Sequence, residues 1–180
     1  MIAETLTAHE AEPEAWPAVS GLSDKAAALD PGPIWRRLEA WSEARFAVRI
    51  VTYEVEGPGT WAIPMVPATL VDAERYASGW QPVDLVPHPE RPGWRLGDGL
   101  YRITAEVGAA PPPVAVEAFR RLAEYLADDR FPVGVTIAQE SIGGPAGNAS
   151  QHMHRPAAWV ARAIHYSGAA DVLRPIRRAR

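Results

Sequence analysis

Arg45-Phe46-Ala47-Val48-Arg49-Ile50-Val51-Thr52-Tyr53-Glu54-Val55 is the stretch in which the periodicity of the chain changes. Before it, Ile34, Leu38 and Trp41 recur at spacings of four and three, with Trp35 adjoining, the apolar stripe of a helix. From Phe46 the period falls to two. Phe46, Val48 and Ile50 alternate, and Val51, Tyr53 and Val55 alternate on the other parity. The change of phase at Ile50-Val51 predicts a bulge or a strand buried on both faces. A helix before this stretch, a run of short strands after it and helices beyond them read as an α+β chain.

Upstream, Ser23 is placed to cap a short helix over Asp24 to Leu29, and Asp30-Pro31 reads as a second start. Helical structure is expected over about 24–45, with Arg36, Arg37, Glu39 and Glu43 mostly facing water. Residues 1–21 lack periodicity and contain Pro13, Pro17 and Gly21, so they read as an acidic arm ordered only by a partner.

Downstream, Glu56-Gly57-Pro58-Gly59 reads as a turn. Short strand candidates follow at Trp61–Met65, Thr69–Asp72, Trp80–Val86, Gly93–Leu96 and Gly99–Val107, with another turn at Gly97-Asp98-Gly99. Prolines divide this stretch, so a small antiparallel sheet with proline-blunted edges is expected over about 46–108. Pro111-Pro112-Pro113 ends it. A helix over 113–127 presents Val116, Phe119, Leu122, Ala123 and Leu126, with Glu117–Arg121 and Arg120–Glu124 paired four apart. Residues 141–150 read as a flexible loop and 156–166 as a last helix. Ser167-Gly168 is a stop, and 169–180 is a basic extended tail. The main domain is therefore expected to span 22–168.

The 180 residues carry a net charge of −4 that is unevenly spread. Residues 1–60 hold ten acids against five bases, 61–150 eleven against seven, and 151–180 one acid against six arginines. An acidic body with a basic end suggests an interaction tail, or arginines gathered on a final helix. Cysteine is absent, so no disulfide framework or thiolate chemistry is available. No apolar run reaches a membrane span, and the acidic first 17 residues do not read as a secretory leader.

The candidate chemical motifs fail on spacing. His152-Met153-His154 offers two metal ligands where a catalytic zinc usually needs three with defined spacing. Gly143-Gly144-Pro145-Ala146-Gly147-Asn148 lacks the lysine and flanking elements of a phosphate loop. Ser141 and Ser150 have no nucleophile elbow around them. Asp128-Asp129 reads as a solvated helix end. No catalytic residue, metal or cofactor is therefore assigned, and the chain is expected not to be an enzyme. Of seven tryptophans, Trp35, Trp41 and Trp159 are expected in the core; Trp80 and Trp94 are candidate interface aromatics.

The layout resembles the head–tail connector (adaptor) proteins of long-tailed phages, in particular the adaptor of alphaproteobacterial gene transfer agents. The resemblance rests on the quoted strand, on Trp61…Pro64-Met65-Val66-Pro67 and Tyr101-Arg102-Ile103-Thr104, and on Pro112 to Ala127. It continues through Gln139-Glu140-Ser141-Ile142-Gly143 and Ser167 to Arg178, covering about 22–180. It implies a small helical bundle with an inserted antiparallel sheet and an extended C-terminal tail. It further implies a homo-oligomeric ring beneath the portal protein, usually of twelve copies. The opposite face would receive the next, stopper-like connector, and DNA would pass through the bore without sequence-specific binding. Such a protein sits in the neck of a virion or phage-like particle, assembled in the bacterial cytoplasm without a membrane. On this resemblance, Leu173, Arg174, Pro175, Ile176, Arg177, Arg178 and Arg180 are assigned to portal contact. The competing reading is a DNA-binding assembly or regulatory module acting through the same arginines.

Overall fold

In a computed structural model, which describes residues 2–128, 138–144, 147–153 and 162–177, helices and antiparallel strands alternate along the chain. The order is β1 (Glu4–Glu10), α1 (Asp24–Ala27), α2 (Pro31–Ser42), β2 (Arg49–Trp61), β3 (Ala68–Tyr76), β4 (Trp80–Pro82), β5 (Val86–Pro87) and β6 (Trp94–Val107). Then come α3 (Pro113–Ala127), β7 (Ala138–Gly144), β8 (Gly147–Met153), α4 (Ala163–Tyr166), α5 (Ala169–Leu173) and a 3-10 turn at Arg174–Ile176. The chain divides into two compact units, one of residues 1–17 and 44–111, the other of 18–43 and 112–180.

The first unit is a sheet with strand order β1-β2-β6-β3-β4, β5 also pairing with β6. Its axis is the long β2–β6 ribbon. The stretches Glu56–Gly59 and Gly97–Gly99, expected as turns, lie inside these two strands and face each other. Glycine serves there for close approach rather than reversal: a Cβ on Gly57 would lie 2.0 Å from the Gly97 carbonyl oxygen. The ladder shifts register between Gly57 and Gly59, and the ribbon bends. Tyr53 and Trp61, eight residues apart, would be about 26 Å apart on a straight strand. Their rings instead meet at 5.3 Å, edge to face. The bend folds Trp61 and Leu96 onto the core built by Val51, Tyr53, Val55, Ile103, Ala105 and Val107.

The phase change at Ile50-Val51 needs no bulge. Phe46 is buried ahead of the strand, Val48 and Ile50 are exposed, and Val51, Tyr53 and Val55 point into the core. Burying these three removes the sheet's inner face from water at roughly 2 kcal/mol per large side chain.

Residues 1–21 do not form a free arm. Glu4 to Glu10 pairs antiparallel with Glu56 to Val51 of β2. The strand is fixed at its end by Glu10, whose carboxylate accepts from Arg45 Nε at 2.6 Å, Arg45 Nη2 at 2.8 Å and Arg49 Nη1 at 2.8 Å. Arg49 is itself almost wholly buried, donates Nε to the Ala47 carbonyl and lies over the Trp16 ring. Burial alone would raise the Glu10 pKa; the hydrogen bonds and charge of Arg45, with the charge of Arg49, outweigh it and hold the carboxyl below its usual value. Composition at positions 1–21 gave no sign of this, because its partners lie more than thirty residues away.

The second unit is organised on α3, against which α1, α2, α4 and α5 pack. The expected caps are in place: Ser23 Oγ accepts from the Ala26 amide and Asp30 from the Gly32 amide, with Pro31 at the first helical position. Helical structure ends at Ser42 rather than 45, where Glu43 turns left-handed at φ 59°. Trp35 stacks at 4.7 Å on Phe119. The buried face of α3 is Ala115, Ala118, Phe119, Leu122 and Ala123; small alanines admit close packing, while Val116 and Leu126 are half-buried. Glu39, expected in water, is buried. The Glu117–Arg121 pair forms at 2.9 Å. Glu124 does not take Arg120 but accepts from the Ser23 amide and hydroxyl at 2.7 and 2.8 Å, which lowers its pKa.

Two expectations change in this unit. Residues 141–144 and 147–150, expected as a flexible loop, pair as antiparallel strands, with Ser141 opposite Ser150 and Gly144 opposite Gly147. Residues 169–176 are helical rather than extended, with Gly168 at φ 73° supplying the reversal between α4 and α5. Of the helix expected over 156–166, Ala163–Tyr166 is helical and 156–161 lie outside the described residues, as does Trp159.

Two variants test this architecture. Gly57→Ala forces the ribbon apart and is expected to cost about 3 kcal/mol, read by chemical denaturation; unchanged stability would contradict the close approach. Glu10 has a lowered folded pKa, so its contribution is complete above the ordinary carboxylate pKa and is lost as pH falls through the folded value. Glu10→Gln is therefore expected to cost about 2 kcal/mol at neutral pH and to flatten the fall in melting temperature as pH drops below the ordinary carboxylate value.

Candidate interaction surface

The bent ribbon leaves the sheet with one buried and one solvent face. Register fixes the second. Glu54 lies opposite Arg102, Arg102 opposite Glu74, and Thr7 of β1 opposite Glu54. One row away, His9, Thr52, Thr104 and Asp72 align, and Glu106 lies opposite Ile50 and Thr69. With Glu4 paired to Glu56, this face gathers six carboxylates, Glu4, Glu54, Glu56, Asp72, Glu74 and Glu106.

The one arginine in these rows, Arg102, is occupied. Its Nη2 lies 3.7 Å from Glu54 and its Nη1 3.6 Å from Glu74. The Trp80 ring stacks over its guanidinium at 3.9 Å, and Tyr76 meets Trp80 edge-on at 5.4 Å. Thr7 donates its hydroxyl to Glu54 at 3.4 Å. The surface is thus a net-negative ladder in which Arg102 is paired with two glutamates.

The charge asymmetry of the sequence follows the two units. The sheet unit holds twelve acids and six arginines, net −6. The helical unit holds ten acids and twelve bases, net +2.

The two candidate interface tryptophans separate. Trp80 stands on the solvent face, half-buried against Arg102. Trp94 stacks on Trp61 at 6.3 Å, at the fringe of the sheet's core.

The C-terminal candidates separate as well. Leu173 is 0% exposed and, with Ala169 and Ala170, seats α5 against α3. Arg174 and Pro175 are exposed and Ile176 is half-buried. Arg177 lies over the Trp41 ring at 4.9 Å; Trp41, expected in the core, is only half-buried. Arg178 and Arg180 lie outside the described residues. Leu173 is therefore an anchor of the helical unit rather than a displayed contact. The alternating helix–turn–helix from 163 to 176 was obscured in the sequence by its short pieces, each below the length at which periodicity is readable.

Among the described residues no group of three or more His, Asp or Glu side chains is arranged to hold a metal ion. His154 lies outside the described residues. His88 is half-buried, and desolvation with the charges of Arg95 and Arg91 lowers its pKa. A cavity of about 370 Å³ at the ribbon bend is lined by Pro58, Gly59, Thr60, Arg95 and Leu96, without a nucleophile–base pair among them. No helix among the described residues is long and apolar enough to cross a membrane. Comparison with protein-family models, with curated proteins and with solved structures finds no match.

The different status of neighbouring C-terminal residues is testable. Leu173→Ala is expected to cost about 3 kcal/mol by opening a cavity beneath α5, and Arg174→Ala less than about 0.5 kcal/mol, both read by denaturant unfolding. Equal, small effects would mean that α5 does not pack as described.

Proposed function

We propose that the chain is a non-enzymatic head–tail adaptor: a ring beneath the portal of a phage-like particle, of the gene-transfer-agent type. In this reading the helical unit is the small bundle, the sheet unit is its insertion, and DNA passes through the bore. The observation that carries the reading is the solvent face of the sheet. DNA leaving a capsid must slide without being held, and each cation that contacts phosphate adds to holding through counterion release. A surface with six carboxylates, whose single arginine is neutralised by Glu54 and Glu74 and covered by Trp80, repels the backbone instead.

The portal contact is revised from the sequence assignment. Leu173 holds the end of the helical unit in place, and Arg174, Pro175 and the residues after them are offered to the portal from that anchored end. The stopper-like connector meets the other face of the ring. The second reading, a DNA-binding module acting through the terminal arginines, draws on the same exposed Arg174 and Arg177.

Truncation after Leu173 tests the portal contact. The shortened chain is expected to keep its melting transition and to lose association with portal-bearing heads; normal occupancy on heads would refute the assignment. Glu54→Lys/Glu74→Lys/Glu106→Lys tests the bore face. The triple variant is expected to gain salt-dependent DNA affinity and to lower DNA delivery by assembled particles. Strong DNA binding by the unmodified chain, lost on truncation, would instead establish the DNA-binding module.

A further inference from the structure

The sheet unit has two open edges, and they match. At one end of the strand order is β1, and no described strand pairs with its outer side. At the other end β4 covers β3 only at Glu74–Tyr76, leaving Ala68 to Asp72 without a partner strand on that side. Neither stretch contains proline, although prolines occur in β4 and β5. Open edges of this length are normally blunted by proline or charge, because they template pairing.

Both edges carry the same local device. In β1 the ladder to β2 shifts between Thr5 and Thr7, so Leu6 is an extra residue. In β3 the ladder to β6 shifts between Leu70 and Asp72, so Val71 is extra. A bulge re-aims its side chain. Leu6 is 48% and Val71 57% exposed, two large aliphatics placed in water, one at each edge.

We infer that β1 of one copy pairs with the open part of β3 in the next copy, making one continuous sheet through successive subunits. This rests on the ring in the adaptor reading and names the surface that would close it. Strand direction permits it. β1, β2, β6 and β3 alternate in direction, so in subunits related by rotation about an axis along the strands β3 meets the next β1 antiparallel.

One register keeps inward residues inward and outward residues outward. It sets Ala68 opposite Glu10, Thr69 opposite His9, Leu70 opposite Ala8 and Asp72 opposite Thr7, with the bulged Leu6 and Val71 flanking the Asp72–Thr7 pair, and it stops short of Ala73, whose carbonyl already accepts from the Val83 amide. No two acids face each other in it. A foreign strand would need only one prepared edge; two matched edges on one chain fit a second copy. Unlike edges joined head to tail give a heterologous contact, which closes into a ring or runs on as a filament.

The absence of cysteine gives a clean background for the test. Thr7→Cys and Asp72→Cys are prepared separately; both side chains are exposed. Directly opposed strand positions lie within disulfide reach. Mixed and oxidised at high concentration, the two variants are expected to give the mixed dimer well above the level from Thr7→Cys with the loop variant Ser78→Cys. The Thr7→Cys/Asp72→Cys double variant is expected to give a ladder of oligomers, reduced several-fold by adding Leu6→Lys and Val71→Lys. Dimers of Thr7→Cys alone, or no mixed product above the loop control, would overturn the inference. Melting of each variant confirms that it is folded. If the mixed dimer forms but the chain is absent from particle necks, the adaptor reading fails and the edge pairing stands. If the chain occupies necks without mixed product, the edge pairing fails and the adaptor reading stands.

Discussion

Backbone meets backbone where Gly57 crosses Gly97, and the sheet unit depends on that approach. A two-stranded ribbon as long as β2–β6 cannot enclose a core while straight. Removing the side chains at the crossing lets it bend, so that Trp61 reaches Tyr53 and both ends of one strand serve one core. Each other property of the unit follows. The inner face is closed by the ribbon's own return, the outer face is left to solvent, and β1 and β3 become the two sides of a finite sheet. Glu10 then locks β1 into place through Arg45 and Arg49.

Local signals were legible in the sequence where the interaction lies within a few residues. Ser23 and Asp30 cap the helices they precede, Pro113 begins α3, and Val51, Tyr53 and Val55 define the buried parity of β2. Legibility failed where the partner is remote. Gly57 and Gly97 have ordinary turn chemistry, and only their mutual opposition makes them a crossing. Residues 4–10 have weak strand character; β2 supplies the ladder and two arginines supply the clamp. The short C-terminal helices owe their order to the surface of α3 rather than to their own pattern, as expected for helices too short to be stable alone.

The interaction surface was half legible. Sequence charge separated an acidic body from a basic end, yet the carboxylates are scattered over β1, β2, β3 and β6, and only register collects them on one face. Arg102 would count in a sequence as an available cation; its position between two glutamates and under Trp80 removes it from that role. Conversely, Leu173 looked like part of a displayed tail and is fully buried.

The proposal stands or falls on where the chain resides. Particles purified from a producing strain, imaged with and without this chain, give the most direct answer. A ring of density beneath the portal, accommodating the helical and sheet units, is expected to disappear when the chain is deleted, leaving tailless heads. Complete, tailed particles with unchanged neck density in the deletion strain would contradict it.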